Sequence, residues 1–149
     1  MSDSLTIRLA CKEDFERCTE LIEEFCSETL EAFGFSFDKA SVLSMATTHI
    51  DTTWVLVQDG ILTGFLCGMI VDNLIDGRQV FQEIAWFVSQ RHRRYGLRLL
   101  HRVESELKLM GINKFIMVHM ADEKAAKIGA LYKRCGFRPL ETQYIKELV

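Results

Sequence analysis

The chain has 149 residues, a hydrophobic fraction of 48% and a formal net charge of −3 at pH 7. This length predicts one domain over residues 1–149, and the composition is that of a globular protein rather than a disordered one. The negative charge gives no global attraction to nucleic acid or to an anionic membrane, so we expect neither as a partner.

The cysteines and histidines show no pattern of a disulfide framework or a metal site. The five cysteines are odd in number, and no two of them are spaced as Cys-x-x-Cys. We therefore expect free thiols in a reducing compartment. The first residues lack the apolar core of a signal peptide and no apolar run approaches membrane-spanning length, which predicts a cytoplasmic protein. No two histidines have metal-site spacing, so we also expect no metal ion.

The periodicity of apolar residues predicts a sheet with helices in its connections. Alternation every second residue indicates strands, and apolar residues three or four apart indicate helices. Asp59-Gly60 and Asp76-Gly77 are hairpin signals, so the strands that they join should be antiparallel neighbours. In chain order, the predicted strands are residues 5–10, 53–58, 61–71, 79–88, 114–120 and 137–147, and the predicted helices are residues 11–30, 38–46, 97–110 and 123–135.

This β-α-α-β-β-β-α-β-α-β order predicts a fold of the α/β class. Its sheet should be mixed, as in α+β folds, with both antiparallel and parallel strands. The early strands should be antiparallel. The strands over 79–88 and 114–120 should be parallel, because the helix between them forms a right-handed crossover.

The segment from Val88 to Leu100 combines a strand end, a helix start and a cluster of arginines. A helix N-terminus leaves about four backbone N–H groups without helical partners and carries a partial positive charge. It is therefore an anion site suited to a pyrophosphate, with Gly96 where the backbone would approach it closely. The alternative is a helix whose arginine-rich first turn is only solvated. The arginines are Arg91, Arg93, Arg94 and Arg98.

Two motifs give the chain a resemblance to a known family. Residues 93–98 are similar to the pattern Arg/Gln-x-x-Gly-x-Gly/Ala after a strand, and residues 131–137 match Leu-Tyr-x-Lys/Arg-x-Gly-Phe. Together they resemble the GCN5-related N-acetyltransferase (GNAT) superfamily. The first motif departs from the pattern at Arg94 and Arg98, where small residues are usual. Arg98 either swings away and adds charge, or it blocks close approach of a pyrophosphate to the backbone.

The resemblance implies a GNAT-like acyl-CoA N-acyltransferase fold and an enzyme that moves an acetyl group from acetyl-CoA directly to a primary amine. It implies that Tyr132 protonates the departing CoA thiolate, and a phenol of pKa about 10 is protonated at neutral pH. It places the thioester carbonyl on backbone groups at the end of a strand and the pyrophosphate at the helix start. The implied cosubstrate-binding residues are Phe87, Val88, Arg93, Arg94, Tyr95, Gly96, Leu97 and Arg98.

Glu83 is the candidate general base, alone or through a water, because an acid inside a buried strand is costly unless it is used or paired. The alternative is that Glu83 points outward or pairs with an arginine. His119 competes for the role because histidine titrates near neutral pH, although a lone histidine on an apolar strand is more often part of the core. Tyr132 has a similar alternative, a core tyrosine whose hydroxyl bonds elsewhere.

The acceptor is expected to be a small-molecule or peptide amine. Protein N-termini, lysines, polyamines, aminoglycosides and small metabolites all fit. The resemblance implies that the first helices form one wall of the acceptor groove. The glutamates of residues 11–31 either attract a cationic acceptor there or form a solvated helix face. The strand over 137–147 could pair in a homodimer.

Two other classes of protein compete with an enzyme. One is a GNAT-fold protein that binds CoA or another ligand without turnover, as a sensor or regulator. The other is a nucleic-acid-binding module that uses the arginines, which the acidic net charge disfavours.

Overall fold

The computed structural model describes residues 4–149, which form two compact units. The first unit ends at Met117 and contains a sheet with three α-helices. The second unit runs from Val118 to Val149 and contains one α-helix. The mixed α/β class predicted from the sequence is confirmed.

The described chain contains five strands and four α-helices in the order β-α-α-β-β-β-α-β-α. The strands are β1 (Leu5–Leu9), β2 (Thr53–Gln58), β3 (Ile61–Asp72), β4 (Gln79–Val88) and β5 (Phe115–Ile116). The helices are α1 (Phe15–Phe25), α2 (Lys39–Thr48), α3 (Gly96–Leu109) and α4 (Ala125–Arg134). Shorter turns adjoin them: 3₁₀ turns at Lys12–Asp14, Glu31–Phe33, Ile50–Thr52 and Gln90–Tyr95, and a π-helical turn at Cys26–Leu30.

The strands are arranged in chain order, β1-β2-β3-β4-β5. The first four are antiparallel to their neighbours, and β5 is parallel to β4. Both predicted hairpins are present. Asp59 and Gly60 have φ of 51° and 81°, the positive values that a two-residue turn between twisted strands requires, and Gly77 has φ of 70° in the second connection.

Helices α1 and α3 cover opposite faces of the sheet. Phe65 and Phe87 pack with Leu21 of α1 in one buried cluster. On the other face, the first residue of α3, Gly96, approaches the side chains of Trp86 and Val88. Because successive residues of a strand point to opposite faces, β4 supplies side chains to both helices in turn.

Three predicted elements differ from the structure. Residues 11–30 form a 3₁₀ turn, α1 and a π turn in place of one regular helix, and β5 covers only two of the residues 114–120. The strand predicted over 137–147 is absent from the described chain. Tyr144 in that segment is 93% exposed. An alternating sequence is compatible with a strand but does not establish one. The backbone groups of a strand also need a partner strand to bond to.

Candidate functional site

The last six residues of β4 have a strand partner on one side only. β5 pairs with β4 at Phe115 and Ile116, opposite Phe81 and Gln82, and the pairing then stops. β4 continues to Val88 and remains paired with β3. Over residues 83–88, this edge of the sheet therefore faces no other strand of the described chain, and an extended ligand could pair with it.

A hydrogen bond at the end of β4 shows which backbone groups point to this open edge. Ser89 N–H donates to Thr63 O over 2.8 Å, so Val88, one residue earlier, directs its N–H and C=O away from β3. Phe87 is turned back toward Phe65, its partner on β3. Of the two residues predicted to hold a thioester carbonyl, Val88 thus has its N–H on the open side, whereas the Phe87 backbone belongs to the β3–β4 ladder.

A β-bulge marks the point where β5 leaves β4. Cys67 is paired with Ala85 and Gly68 with Glu83, so Ile84 is an extra residue on β4. Glu83 is buried, with 6% of its surface exposed. Burial, and to a smaller extent the negative charge of Glu83, raise the pKa of the Cys67 thiol. The candidate base therefore lies inside the protein at the bulge, within electrostatic reach of Cys67.

The segment before α3 is a 3₁₀ helix that leads directly into α3. The His92 N–H donates to Ser89 O over 2.8 Å, and the Gly96 N–H donates to Arg93 O. Two amides of this segment are thus bonded within the chain. Gly96 has a helical φ of −58°, and a β-carbon there would lie 3.5 Å from the Trp86 ring, an ordinary contact distance. No contact within residues 4–149 therefore requires glycine at this position.

Arg93 is held by three groups of the first unit. Its Nε donates to Val88 O over 3.1 Å, and its guanidinium lies 5.6 Å from the centre of the Phe87 ring. Its Nη2 forms an ion pair with Glu28 in the π-helical turn that follows α1. Arg93 thereby caps the one carbonyl at the end of β4 that points to the open edge, and it joins the start of α3 to the end of α1.

Arg94 and Tyr95 form a stacked pair. The Arg94 guanidinium lies 4.6 Å from the Tyr95 ring centre, and its Nη2 donates to the Tyr95 hydroxyl over 2.9 Å. The Gln58 Nε2 donates to the same oxygen over 3.2 Å. The bulky Arg94 is thus turned onto its neighbour, while Leu97 and Arg98 are exposed on the first turn of α3.

Tyr132 lies in the second unit and is buried, with 7% of its surface exposed. Its hydroxyl donates to Val118 O over 2.7 Å, and its ring centre is 6.2 Å from that of His119. The His119 Nδ1 lies 3.1 Å from Met120 O, so in the neutral ring Nδ1 carries the proton and Nε2 the lone pair. To protonate a leaving group, Tyr132 would have to exchange the Val118 carbonyl for that group.

No three His, Cys, Asp or Glu side chains among residues 4–149 form a group that could hold a metal ion. Nor does any helix of this described part combine the length and apolar character needed to cross a membrane.

Two residues of the site were not singled out by sequence reasoning. Glu28 was one of several helix glutamates, and its partner Arg93 is 65 residues away, so no local pattern could identify the pair. Gln58 ends β2 and looked like an ordinary strand residue. It is 8% exposed, and its Oε1 has no hydrogen-bond partner among residues 4–149.

Comparisons with known proteins agree on the fold. Over 99% of its length the chain superposes with a TM-score of 0.77 on 97% of an aminoglycoside N-acetyltransferase, AAC(6')-Iy, in complex with CoA, at 15% identity. A ribosomal-protein-alanine N-acetyltransferase from Brucella melitensis biovar Abortus 2308 gives 0.74 at 15% identity, covering 97% of this chain and 99% of that one. A Trypanosoma brucei acetyltransferase gives 0.73 at 20% identity, covering 97% and 100%.

A search of curated protein sequences finds no match. The family model described as the acetyltransferase (GNAT) family does match, over residues 13–137. This range includes α1, the whole of β4, the start of α3 and Tyr132. The match covers most of the chain. The chain belongs to the acetyltransferase (GNAT) family.

Proposed function

We propose that the protein transfers an acetyl group from acetyl-CoA directly to a primary amine. The observation that carries this proposal is the open edge of β4, where Val88 presents a backbone N–H beyond the point at which β5 departs. An amide-containing chain such as pantetheine can pair with such an edge as an added strand would. The Val88 N–H would then donate to the thioester oxygen, on which negative charge develops during attack.

The positive charge around α3 supports the same orientation of the cosubstrate. Arg91 and Arg98 are exposed on either side of the start of this helix, and guanidinium groups bind phosphates well. Because two of the nearby amides are already bonded within the chain, these side chains would supply much of the attraction for a diphosphate. The N-terminal end of α3 adds its partial positive charge.

The proposed reaction needs two proton transfers. The acceptor must lose a proton to expose its lone pair, and we assign this step to Glu83, directly or through a water. The neutral amine attacks the thioester carbon, the C–S bond breaks, and the amide forms. The CoA thiolate then takes a proton from Tyr132. The position of Glu83 supports its role, because it lies at the bulge where the open edge of β4 begins, on the strand that ends at Val88.

A second candidate is a protein of the same family that binds CoA without turnover. The observation favouring it is the hydrogen bond that the Tyr132 hydroxyl donates to Val118 O. This bond engages the proton that the acid would have to donate to the thiolate. The two candidates share the cosubstrate and differ only in chemistry, so they are separated by measuring binding and thiol release on the same sample.

Both candidates predict that acetyl-CoA stabilises the protein. At about 100 times its Kd, a ligand that binds only the folded state adds about 2.7 kcal/mol. For a domain of this size that raises Tm by roughly 5–11 °C. No shift at millimolar acetyl-CoA would contradict both candidates. A shift without thiol release across a panel of amines would leave the binding protein.

Tyr132→Phe tests the acid. Loss of the phenol proton should lower kcat by about 10²-fold or more, while the Kd of acetyl-CoA remains nearly constant. The variant also loses the bond to Val118 O, at a cost in stability of about 1 kcal/mol. The assay is therefore run well below Tm. An unchanged kcat would mean that the sulfur leaves as a thiolate or that another acid serves.

A further inference from the structure

Arg93 occupies a position in the family motif, yet its guanidinium is engaged with three groups of the folded chain. Two of these groups, Val88 O and the Phe87 ring, belong to the end of β4. The third is the carboxylate of Glu28, in the π-helical turn Cys26–Leu30. One side chain therefore links the end of the open edge to the turn that follows α1.

The π turn has two links to the end of β4. π-Helical turns are rare and occur often at functional sites. On the apolar side, Cys26 is buried and Phe25, just before the turn, stacks on Phe87 with ring centres 5.4 Å apart. On the polar side, Glu28 reaches Arg93. The turn is thus held against the end of β4 by one aromatic contact and one ion pair.

We propose that Glu28 is a positioning residue for the acceptor amine. By holding Arg93 on Phe87 and on the Val88 carbonyl, it fixes the turn 26–30 beside the strand end at which the acyl group is proposed to react. An amine that reaches this strand end from the side of the Phe87 ring passes the turn, because Phe25 and Glu28 hold the turn there. This inference rests on the proposed function, because it takes the reacting carbonyl to lie at Val88.

Glu28 is not among the groups proposed to bind the cosubstrate. Its carboxylate is paired with Arg93, whose side chain bonds both to it and to the Val88 carbonyl. Loss of Glu28 should therefore loosen the turn without removing a group that binds CoA. The expected effect is on the KM of the amine, with kcat and the Kd of acetyl-CoA changed far less.

The test is Glu28→Gln, with Glu24→Gln as the matched control. Glu24 lies one helical turn earlier and is exposed on α1. For Glu28→Gln we expect the KM of the amine to rise about tenfold, with kcat and the Kd of acetyl-CoA within about twofold of the parent. Glu24→Gln should leave all three unchanged. Glu28→Asp, which keeps the charge on a shorter side chain, should recover part of the loss.

A second measurement does not depend on activity. Amide hydrogen exchange over residues 26–30, in protein without ligand, should be about five times faster in Glu28→Gln and unchanged in Glu24→Gln. Unchanged exchange and unchanged KM would overturn the inference. Faster exchange with an unchanged KM would also overturn it. The ion pair would then hold the turn in place, but the position of the turn would not affect binding of the amine. If the parent protein acetylates no amine, the proposed function fails, and exchange alone reports whether the ion pair holds the turn.

Discussion

The two halves of β4 differ in their surroundings. In the first half, residues 79–82, Phe81 and Gln82 have strand partners on both sides, and Phe81 is fully buried between Trp54 and Phe115, with ring centres 5.9 and 5.4 Å away. Residues 83–88 begin with a bulge, have β3 as their only strand partner in the described chain, and end at a carbonyl capped by Arg93. The first half contributes packing, and the second leaves polar backbone groups to be used.

This difference teaches that one strand can combine a packed half and a half with an open edge when a bulge separates them. An extra residue at Ile84 changes the alternation, so that each half points its side chains independently of the other. Substitutions in the first half should therefore change the free energy of unfolding and leave ligand binding alone. Substitutions beside the second half should do the reverse.

The largest effect is expected from Gly68→Ala, because Gly68, paired with Glu83 at the bulge, lies against Phe81 and Gln82 of the first half. A β-carbon on Gly68 would lie 2.6 Å from Gln82 O and would overlap the Phe81 ring at Cζ. Because Phe81 is fully buried and cannot swing out, we expect a loss of about 3 kcal/mol of unfolding free energy, measured by urea denaturation.

Two further variants serve as controls for the Gly68→Ala result. Gly129→Ala in α4 meets only an ordinary contact at 3.6 Å from His119 and should stabilise by about 0.5–1 kcal/mol. Combining Gly68→Ala with Phe81→Leu removes the overlap, so the double variant should be at least about 1 kcal/mol more stable than the sum of the single losses. Strict additivity would show that the cost comes from the backbone at Gln82 rather than from the ring.

Glu83→Gln probes the bulge, where the second half begins. If Glu83 is the base, the isosteric amide should lower kcat/KM by about 100-fold, with little change in the Kd of acetyl-CoA. The pKa of the Cys67 thiol should fall at the same time, because the negative charge of Glu83 contributes to raising it. NMR titration of a labelled Cys67 would measure this. A lower thiol pKa with an unchanged rate would assign the base to His119 or to water.

The sequence predicted the strands next to hairpin turns well. The bounds of β2 and β4 agree with the prediction to the residue, because a short run rich in apolar residues beside a hairpin signal defines each of them locally. The segment over 137–147 was also predicted as a strand but forms none, since pairing depends on a partner that the pattern does not specify. The π turn escaped prediction because its apolar spacing resembles that of an α-helix.

The site was only partly predictable, for a physical reason. The motif predicted the start of α3, and the resemblance gave Gly96 and Val88 roles that stay predictions and depend on residues nearby in sequence. The contacts that define the site in detail join distant segments. Examples are Arg93 with Glu28, and Tyr95 with Gln58, and neither Glu28 nor Gln58 stands out by spacing or composition.

An ion pair at the other edge of the sheet, on β1, should contribute an effect on stability of intermediate size. Arg8 on β1 donates to both carboxylate oxygens of Asp14, at 2.7 and 3.0 Å, and the Cys11 N–H donates to Asp14 at 2.8 Å. The hydrogen bond from Arg8 is the main cause that lowers the pKa of Asp14. Asp14→Asn should cost about 2 kcal/mol at pH 7, reduced by salt because Arg8 is partly exposed.

The pH dependence of that cost has a definite sign. A carboxyl group whose pKa is lower in the folded state stabilises the protein above its unfolded pKa, about 3.9, and loses this contribution as pH falls through the folded value. The stability difference between the parent and Asp14→Asn should therefore shrink below about pH 4, and acetyl-CoA affinity at pH 7 should be the same in both. A difference that stays constant down to pH 2 would mean that the carboxylate charge is not involved.

The smallest effect, about tenfold in affinity, is expected from Gly96→Ala, above the second half of β4. Within the folded chain this glycine is unnecessary: its φ is helical, and an added methyl group meets the Trp86 and Val88 side chains at 3.5 and 3.6 Å. Stability should therefore be unchanged or slightly greater.

If the cosubstrate diphosphate approaches this backbone, however, the methyl group occupies part of its space, and the Kd of acetyl-CoA should rise about tenfold, or about 1.4 kcal/mol. Calorimetric titration of Gly96→Ala, with Gly129→Ala as the control, measures this. Equal affinity in both variants would move the diphosphate away from the start of α3, and the open edge of β4 would then need another explanation.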